Sequence, residues 1–225
     1  MKKIMDNNWL IKHKRNRWSQ RGEDGVLAKI FEVLKISKGW CIDVGAYGRL
    51  LSNTYTLLEQ GWSGVLIEAN EERHLKLKGH HERAHRDAYC ICAYVETKGE
   101  KSLDNLLKNT PLPKDFELLS IDIDGNDYYI WESLKNYSPL VVIIEFNSVV
   151  EYADYLQPLD GFGGASMSIM VKLGKLKGYE LISALPFNAI FVRKDFFPMF
   201  GIKNNSPKAI WTKDPRDKEY TKVPI

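Results

Sequence analysis

Five carboxylates stand where short apolar runs end: Asp43, Glu68, Asp122, Asp124 and Glu145. Acids at the C-terminal tips of buried strands suit three kinds of chemistry. They accept hydrogen bonds from paired hydroxyls, they take a proton from a hydroxyl nucleophile, or they ligate a hard cation such as Mg²⁺. Asp122, Asp124 and Glu145 are the candidates for the reacting end. The spacing of Asp122 and Asp124 puts both on the same side of a strand, which makes them candidate Mg²⁺ ligands. The same acids can serve as general base or acceptor ligands, or brace the following helix through Asn126 and Asp127. The D-x-D-G opening of a calcium loop is present, but no glutamate follows at the required distance, which argues against a calcium sensor.

Upstream, Trp40 to Asn70 reads as strand, glycine turn, helix and second strand. Gly45 and Gly48 bracket the turn. Ser52-Asn53-Thr54 offers helix-start chemistry, and Gly61 stops the helix near Gln60. The segment Gly45-Ala46-Tyr47-Gly48-Arg49-Leu50 does not spell G-x-G-x-x-G, which counts against a nicotinamide-dependent oxidoreductase. An acid before the first glycine, Asp43, suits S-adenosylmethionine better, because that ligand carries an amine, a carboxylate and a ribose. Asp43 is then expected near the amine, and Gly45, Ala46 and Gly48 along the methionine part. Ser52 and Asn53 are expected at the carboxylate, Glu68 on the ribose, and Ala93 beside the adenine. Asp122 closes the set from the next strand end.

The elements that must position these groups follow from periodicity. Gly25–Ile36 has helical spacing, and Glu71–Lys78 is expected as a further helix. Ala88–Val95 alternates as a strand, Ser102–Leu107 is a short helix, and Leu118–Ile123 is a buried strand. Asp127–Leu134 is helical, and Leu140–Ile144 is another buried strand. Residues 148–164 form an irregular loop rich in glycine, and loops of that length over a sheet commonly cover a substrate. Ser166–Lys177 is the last helix. Tyr179–Ala184 and Ala189–Arg193 form an antiparallel hairpin. Strands alternating with helices require a mainly parallel sheet.

A chain of 225 residues with 44% hydrophobic residues has enough apolar material for one domain with a sizeable core. A net charge of +3 is too small to argue for nucleic acid, and no apolar run reaches membrane-spanning length. Residues 1–18 form a basic N-terminal segment without a secretory apolar core. Its Lys12, Lys14, Arg15 and Arg17 read as a solvated face or an oligomer contact, with a phosphorylated or nucleotide-linked acceptor as the alternative. Residues 204–225 read as a polar tail. The odd cysteine count fits buried thiols at Cys90 and Cys92 in a cytoplasmic protein. His80, His81 and His85 read as a solvated, charged loop rather than a zinc site. Trp131, with Tyr128 and Tyr129, reads as core.

From Ser19 to Phe200 these pieces resemble the FkbM-type S-adenosylmethionine-dependent methyltransferases. The resemblance is carried by Ser19-Gln20-Arg21-Gly22-Glu23-Asp24, Leu51-Ser52-Asn53-Thr54 and Gly61-Trp62-Ser63-Gly64-Val65-Leu66-Ile67-Glu68. Further on it is carried by Ser102-Leu103-Asp104, Ser120-Ile121-Asp122-Ile123-Asp124-Gly125-Asn126-Asp127 and Ile144-Glu145-Phe146-Asn147. It implies a Rossmann-like class I methyltransferase fold over residues 19–203. Such a fold has a mainly parallel seven-stranded sheet, a C-terminal antiparallel hairpin strand and helices on both faces. It also implies O-methyl transfer to a hydroxyl of a sugar, glycan or related metabolite. The family's turn commonly reads Gly-Ala-aromatic-Asp-Gly. Here it is one residue shorter and lacks the second acid, which removes one partner of the cofactor amine. The alternative is a non-catalytic ligand-binding or assembly protein on the same fold.

Overall fold

The computed structural model describes residues 7–150 and 152–211. Residues 1–6 of the basic segment and 212–225 of the polar tail lie outside the described residues.

Seven strands form one sheet: β1 (Trp40–Val44), β2 (Ser63–Glu68), β3 (Ala88–Cys92), β4 (Asp115–Ile121), β5 (Ser138–Glu145), β6 (Tyr179–Ala184) and β7 (Asn188–Arg193). Their spatial order is β3-β2-β1-β4-β5-β7-β6. The first five are parallel, and β7 runs antiparallel between β5 and β6. Between them lie α1 (Glu23–Leu34) before β1, α2 (Tyr55–Glu59), α3 (Glu71–Arg83), α4 (Leu103–Leu107), α5 (Asp127–Ser133), α6 (Met167–Leu176) and, last, α7 (Pro207–Ile210). Successive strand residues point to opposite faces, yet β1, β2, β4 and β5 are buried almost without a break. Both faces of the central sheet are therefore covered, which is why these strands read as continuous apolar runs.

The core extends past the sheet. Trp131 of α5 packs edge-on to Tyr179 and at 5.0 Å from Phe191. Leu10 in the 3₁₀ turn Trp9–His13 is fully buried, and the Trp9 indole donates to the Phe200 carbonyl. Ile210 and Trp211 are buried as well.

Asp24 organises the approach to α1. Its carboxylate accepts from the backbone N–H groups of Arg17, Trp18 and Ser19, from Ser19 Oγ and from Thr56 Oγ1. Burial pushes this carboxyl up, but the hydrogen bonds, led by Thr56, hold it below its ordinary value. The Ser-Gln-x-Gly-Glu-Asp motif thus pins residues 17–19 onto α1 and α2.

Two expectations are corrected here. Cys90 and Cys92 are not buried: Cys90 is half-buried and Cys92 is exposed. The strand that carries them is at the sheet edge, paired only with β2, so its outer side lacks cover. Of the three histidines, His85 stands in the exposed turn after α3, as expected, but His80 and His81 belong to the helix itself. Asn70 caps α3 by accepting from the Arg73 N–H, Glu71 and Glu72 sit in its first turn, and the helix runs on through Arg83. It carries His81 into the protein, where the ring is 1% exposed. Burial, followed by Arg86 and His80, holds that imidazole down at about 4.

Candidate active site

From β1 the chain builds β2 and β3 outward on one side and then crosses back to lay β4 on the other, so the crevice above β1 and β4 is the topological switch point of the sheet. Two backbone segments meet there. The Asp122 N–H donates to the Val44 carbonyl at 3.0 Å, while the N–H groups of Gly45 and Ala46 both donate to Ile67 at 3.0 Å. Gly45 adopts φ +90°, and a Cβ on it would lie 2.0 Å from the Asp122 carbonyl oxygen. Glycine is required for both reasons, conformation and contact.

On the β1–β2 side, Asp43 is buried and accepts from Ser52 Oγ at 3.0 Å and Thr54 Oγ1 at 2.7 Å. Burial raises its carboxyl above the ordinary value despite those bonds. Ser52 Oγ also accepts from the Tyr55 N–H, which starts α2. The Asn53 amide donates to Ser120 Oγ of β4. Ser52 and Asn53 are thus both buried, with their side chains bonded inside the fold. Glu68 ends β2, is 6% exposed and accepts from the Asn70 N–H at 2.7 Å. Ala93 is brought beside it, because its N–H donates to the Glu68 carbonyl. Gly48 stands apart, and a Cβ there would meet no atom within 4 Å. Around it Tyr47, Leu50 and Leu51 are exposed.

On the β4–β5 side, Asp122, Asp124 and Glu145 place carboxylate oxygens within 4.8 Å of one another. The sequence-based picture of Asp122 and Asp124 alternating along one strand is corrected. β4 ends at Ile121, and Asp124 sits in a turn at φ +57°. Asp127, buried at the start of α5, shapes that turn by accepting from the N–H groups of Ile123 and Gly125. Burial raises the Asp122 carboxyl to about 7, helped by Asp127, Asp124, Asp43 and Glu23. Burial likewise raises Asp127 to about 6 and lifts Glu145 well above its ordinary value, with Asp122 its chief charged neighbour. The group is short of countercharge, which suits it to hold a proton, a hydroxyl or a cation.

Two members of this floor escaped the sequence. Glu23 of α1 is fully buried, and its carboxylate accepts from the Arg21 N–H and from the Asn188 amide. Asn188 stands directly opposite Glu145 in the β5–β7 ladder, so the two side chains share a face. The amide oxygen of Asn188 is buried without a partner. The β5–β7 register brings Asn188 to the acids, and its amide in turn reaches Glu23.

The loop 148–164 is fastened to the acidic turn. Asn126 and Asp160 exchange hydrogen bonds at 2.8 Å, and the Gln157 amide donates to the Gly125 carbonyl at 2.5 Å. Tyr129 Oη donates to the Gln157 carbonyl. Phe162 at the loop's tip is 70% exposed. Among the described residues no helix is long and apolar enough to cross a membrane.

No family model and no curated protein matches this chain. Solved structures do. The N-terminal domain of EvdMO1, with SAH bound, is 13% identical at a TM-score of 0.52, over 78% of this chain and 82% of that one. TehB from Haemophilus influenzae is 13% identical at a TM-score of 0.51, over 84% of this chain and 67% of its own. Likeness at this identity speaks for architecture. Together with the strand order and the closing antiparallel hairpin, it gives this chain the Rossmann-like class I methyltransferase fold.

Proposed function

We propose that this chain is an S-adenosylmethionine-dependent O-methyltransferase of the FkbM type, acting on a hydroxyl of a sugar, glycan or related metabolite in the cytoplasm. The observation that carries this is the joint between Gly45 and Asp122. It sets a glycine turn and Glu68 on one side of the switch point and a cluster of three carboxylates, Asp122 and Glu145 half-buried and Asp124 exposed, on the other.

The residues of the first side fit the cofactor. Glu68 is a buried acid at a strand tip, with the small Ala93 beside it, and Gly48 leaves its surroundings open. Glu68 holds the ribose, Ala93 flanks the adenine, and Gly45, Ala46 and Gly48 admit the methionine part. Ser52 and Asn53 support its carboxylate end, and Asp43 acts on the amine through the hydroxyls that enclose it. When bound, S-adenosylmethionine supplies a methyl group on a sulfonium leaving group.

The chain's remaining task is to align the acceptor oxygen and remove its proton. Asp122 is the base in this reading, since a carboxyl held at about 7 accepts a proton at neutral pH better than an ordinary aspartate. Asp124 and Glu145 orient neighbouring hydroxyls. The oxygens of Asp122, Asp124 and Glu145 also suit a Mg²⁺ ion, which would acidify a bound hydroxyl. The rival is a non-catalytic binding role, favoured by the internal use of Asp43, Ser52 and Asn53.

The test is titration calorimetry with S-adenosylmethionine and S-adenosylhomocysteine, with and without Mg²⁺. Micromolar binding supports the enzyme. Absence of binding in every condition leaves the non-catalytic role. Methyl transfer to sugar hydroxyls, read by mass shift, then tests the acceptor.

A further inference from the structure

Beside the glycine turn lies a cationic patch that the methyl-transfer chemistry does not use. Arg17 pairs with Glu59 at 2.9 Å, and Arg86 approaches the same carboxylate at 3.7 Å. The Trp18 indole also donates to Glu59. Arg49 lies over the Trp18 ring at 4.3 Å, and Arg86 lies over the Tyr55 ring at 4.7 Å. Arg86 also donates to Tyr55 Oη, which bonds His80. Among the described residues, neither Arg49 nor Arg83 belongs to an ion pair. His80 senses the excess charge. Burial first, then Arg86, Arg49 and Arg83, hold its imidazole below the ordinary value, and Glu59 is the acid that opposes them.

We infer that this patch is a binding site for the phosphate or diphosphate group of the acceptor. The inference rests on the methyl-transfer proposal and narrows its substrate class to phosphorylated or nucleotide-linked molecules. Three features carry it. First, Arg17 and Arg86 share the single Glu59 carboxylate, and Arg49, held over the Trp18 ring, adds a third guanidinium that belongs to no ion pair among the described residues, so the local balance favours an anion. Second, two of them are held on aromatic faces, so little side-chain freedom is lost when an oxyanion docks. Third, the patch is joined to the site: the Leu51 N–H donates to the Trp18 carbonyl, and Tyr55 follows the Ser52 that bonds Asp43. The Trp18 and Tyr55 rings are engaged by arginines, and Tyr55 is 2% exposed, so they offer no platform for stacked nucleobases. That favours a small phosphorylated molecule over a nucleic acid strand.

The full chain would be titrated by calorimetry with inorganic pyrophosphate and with UDP. Wild-type protein should bind both. Arg49→Gln and Arg83→Gln, both at exposed positions, should each weaken binding about fivefold to tenfold, as loss of a charge-assisted contact does. Lys175→Gln, at an exposed position of α6, should leave it unchanged. No pyrophosphate binding by the wild type, or equal binding by the arginine variants, overturns the proposal. Tighter binding of a short oligonucleotide with the same arginine dependence overturns the small-molecule assignment. S-adenosylhomocysteine is titrated separately, so failure of the cofactor site and failure of the phosphate site give different results.

Discussion

Replacing Asp122 with asparagine should make the protein more stable at alkaline pH and, under the proposed function, abolish methyl transfer. The Asp122 carboxyl rises from an ordinary 3.8 to about 7 because burial and its acidic neighbours oppose its charge. A folded value above the unfolded one means that ionisation is a cost of folding. The penalty is absent below about pH 4, grows as pH rises and is complete above about pH 7. Each unit corresponds to about 1.4 kcal/mol, so the ceiling is about 4 kcal/mol. Asp122 is half-buried rather than enclosed, so solvent screening lowers the expectation to about 2 kcal/mol. Asparagine keeps the shape and removes the charge, which also relieves Glu145 and Asp127. Urea denaturation of both proteins at pH 5 and pH 8 would measure this. The variant should gain about 1–2 kcal/mol on the wild type between the two conditions, the share of that penalty falling in this window. A difference in stability that does not change with pH would refute the desolvated cluster and with it the choice of Asp122 as base. Adding Mg²⁺ at pH 8 should then stabilise the wild type more than the variant, if three carboxylates hold the ion.

Gly45→Ala should cost about 2–5 kcal/mol by denaturant unfolding, from a strained positive φ and a Cβ placed 2.0 Å from the Asp122 carbonyl. A cost under about 1 kcal/mol would show that the joint yields freely. Asp24→Asn should destabilise by about 2–4 kcal/mol near neutrality, because a buried charged acceptor loses strength toward several donors. Its folded value is depressed, so the wild-type advantage is present above about pH 4 and should fade as pH falls through that lowered value; a constant difference down to pH 3 would contradict it. Glu68→Ala should weaken S-adenosylhomocysteine binding by about 1–3 kcal/mol in calorimetry. Unchanged affinity would remove Glu68 from the site.

Much of this architecture was legible because the central strands bury both faces. Apolar runs such as Val65–Ile67 and Val142–Ile144 announced themselves, and the acids that end them marked the edge of the sheet where the candidate site lies. The turn chemistry around Ser52 and Gly61 was also readable, since capping needs particular side chains. What the sequence hid was long-range. Asn188 becomes a neighbour of Glu145 only through the β5–β7 register, 43 positions away by residue number. Glu23 reads as a favourable first-turn acid of α1, and nothing local reveals that it lies under the acidic floor. Edge position misled the cysteines, because alternation in Ala88–Cys92 looks the same whether or not a neighbour covers the outer side. The Arg49–Trp18 and Arg86–Tyr55 contacts join segments some 30 residues apart and carry no spacing signal.

The bonds between loop 148–164 and the acidic turn bear on how such a site could diversify. Asn126 and Asp160 recognise each other from both ends, and Gln157 grips the backbone of Gly125 beside Asp124. A loop exchanged for that of another protein would arrive without these handles, and the turn would lose the support that fixes its acids. Loop and turn therefore form one heritable unit. Exchanging the loop without disturbing the turn requires matched changes at residues 126, 157 and 160, and a loop altered alone would be expected to leave the turn around Asp124 unsupported.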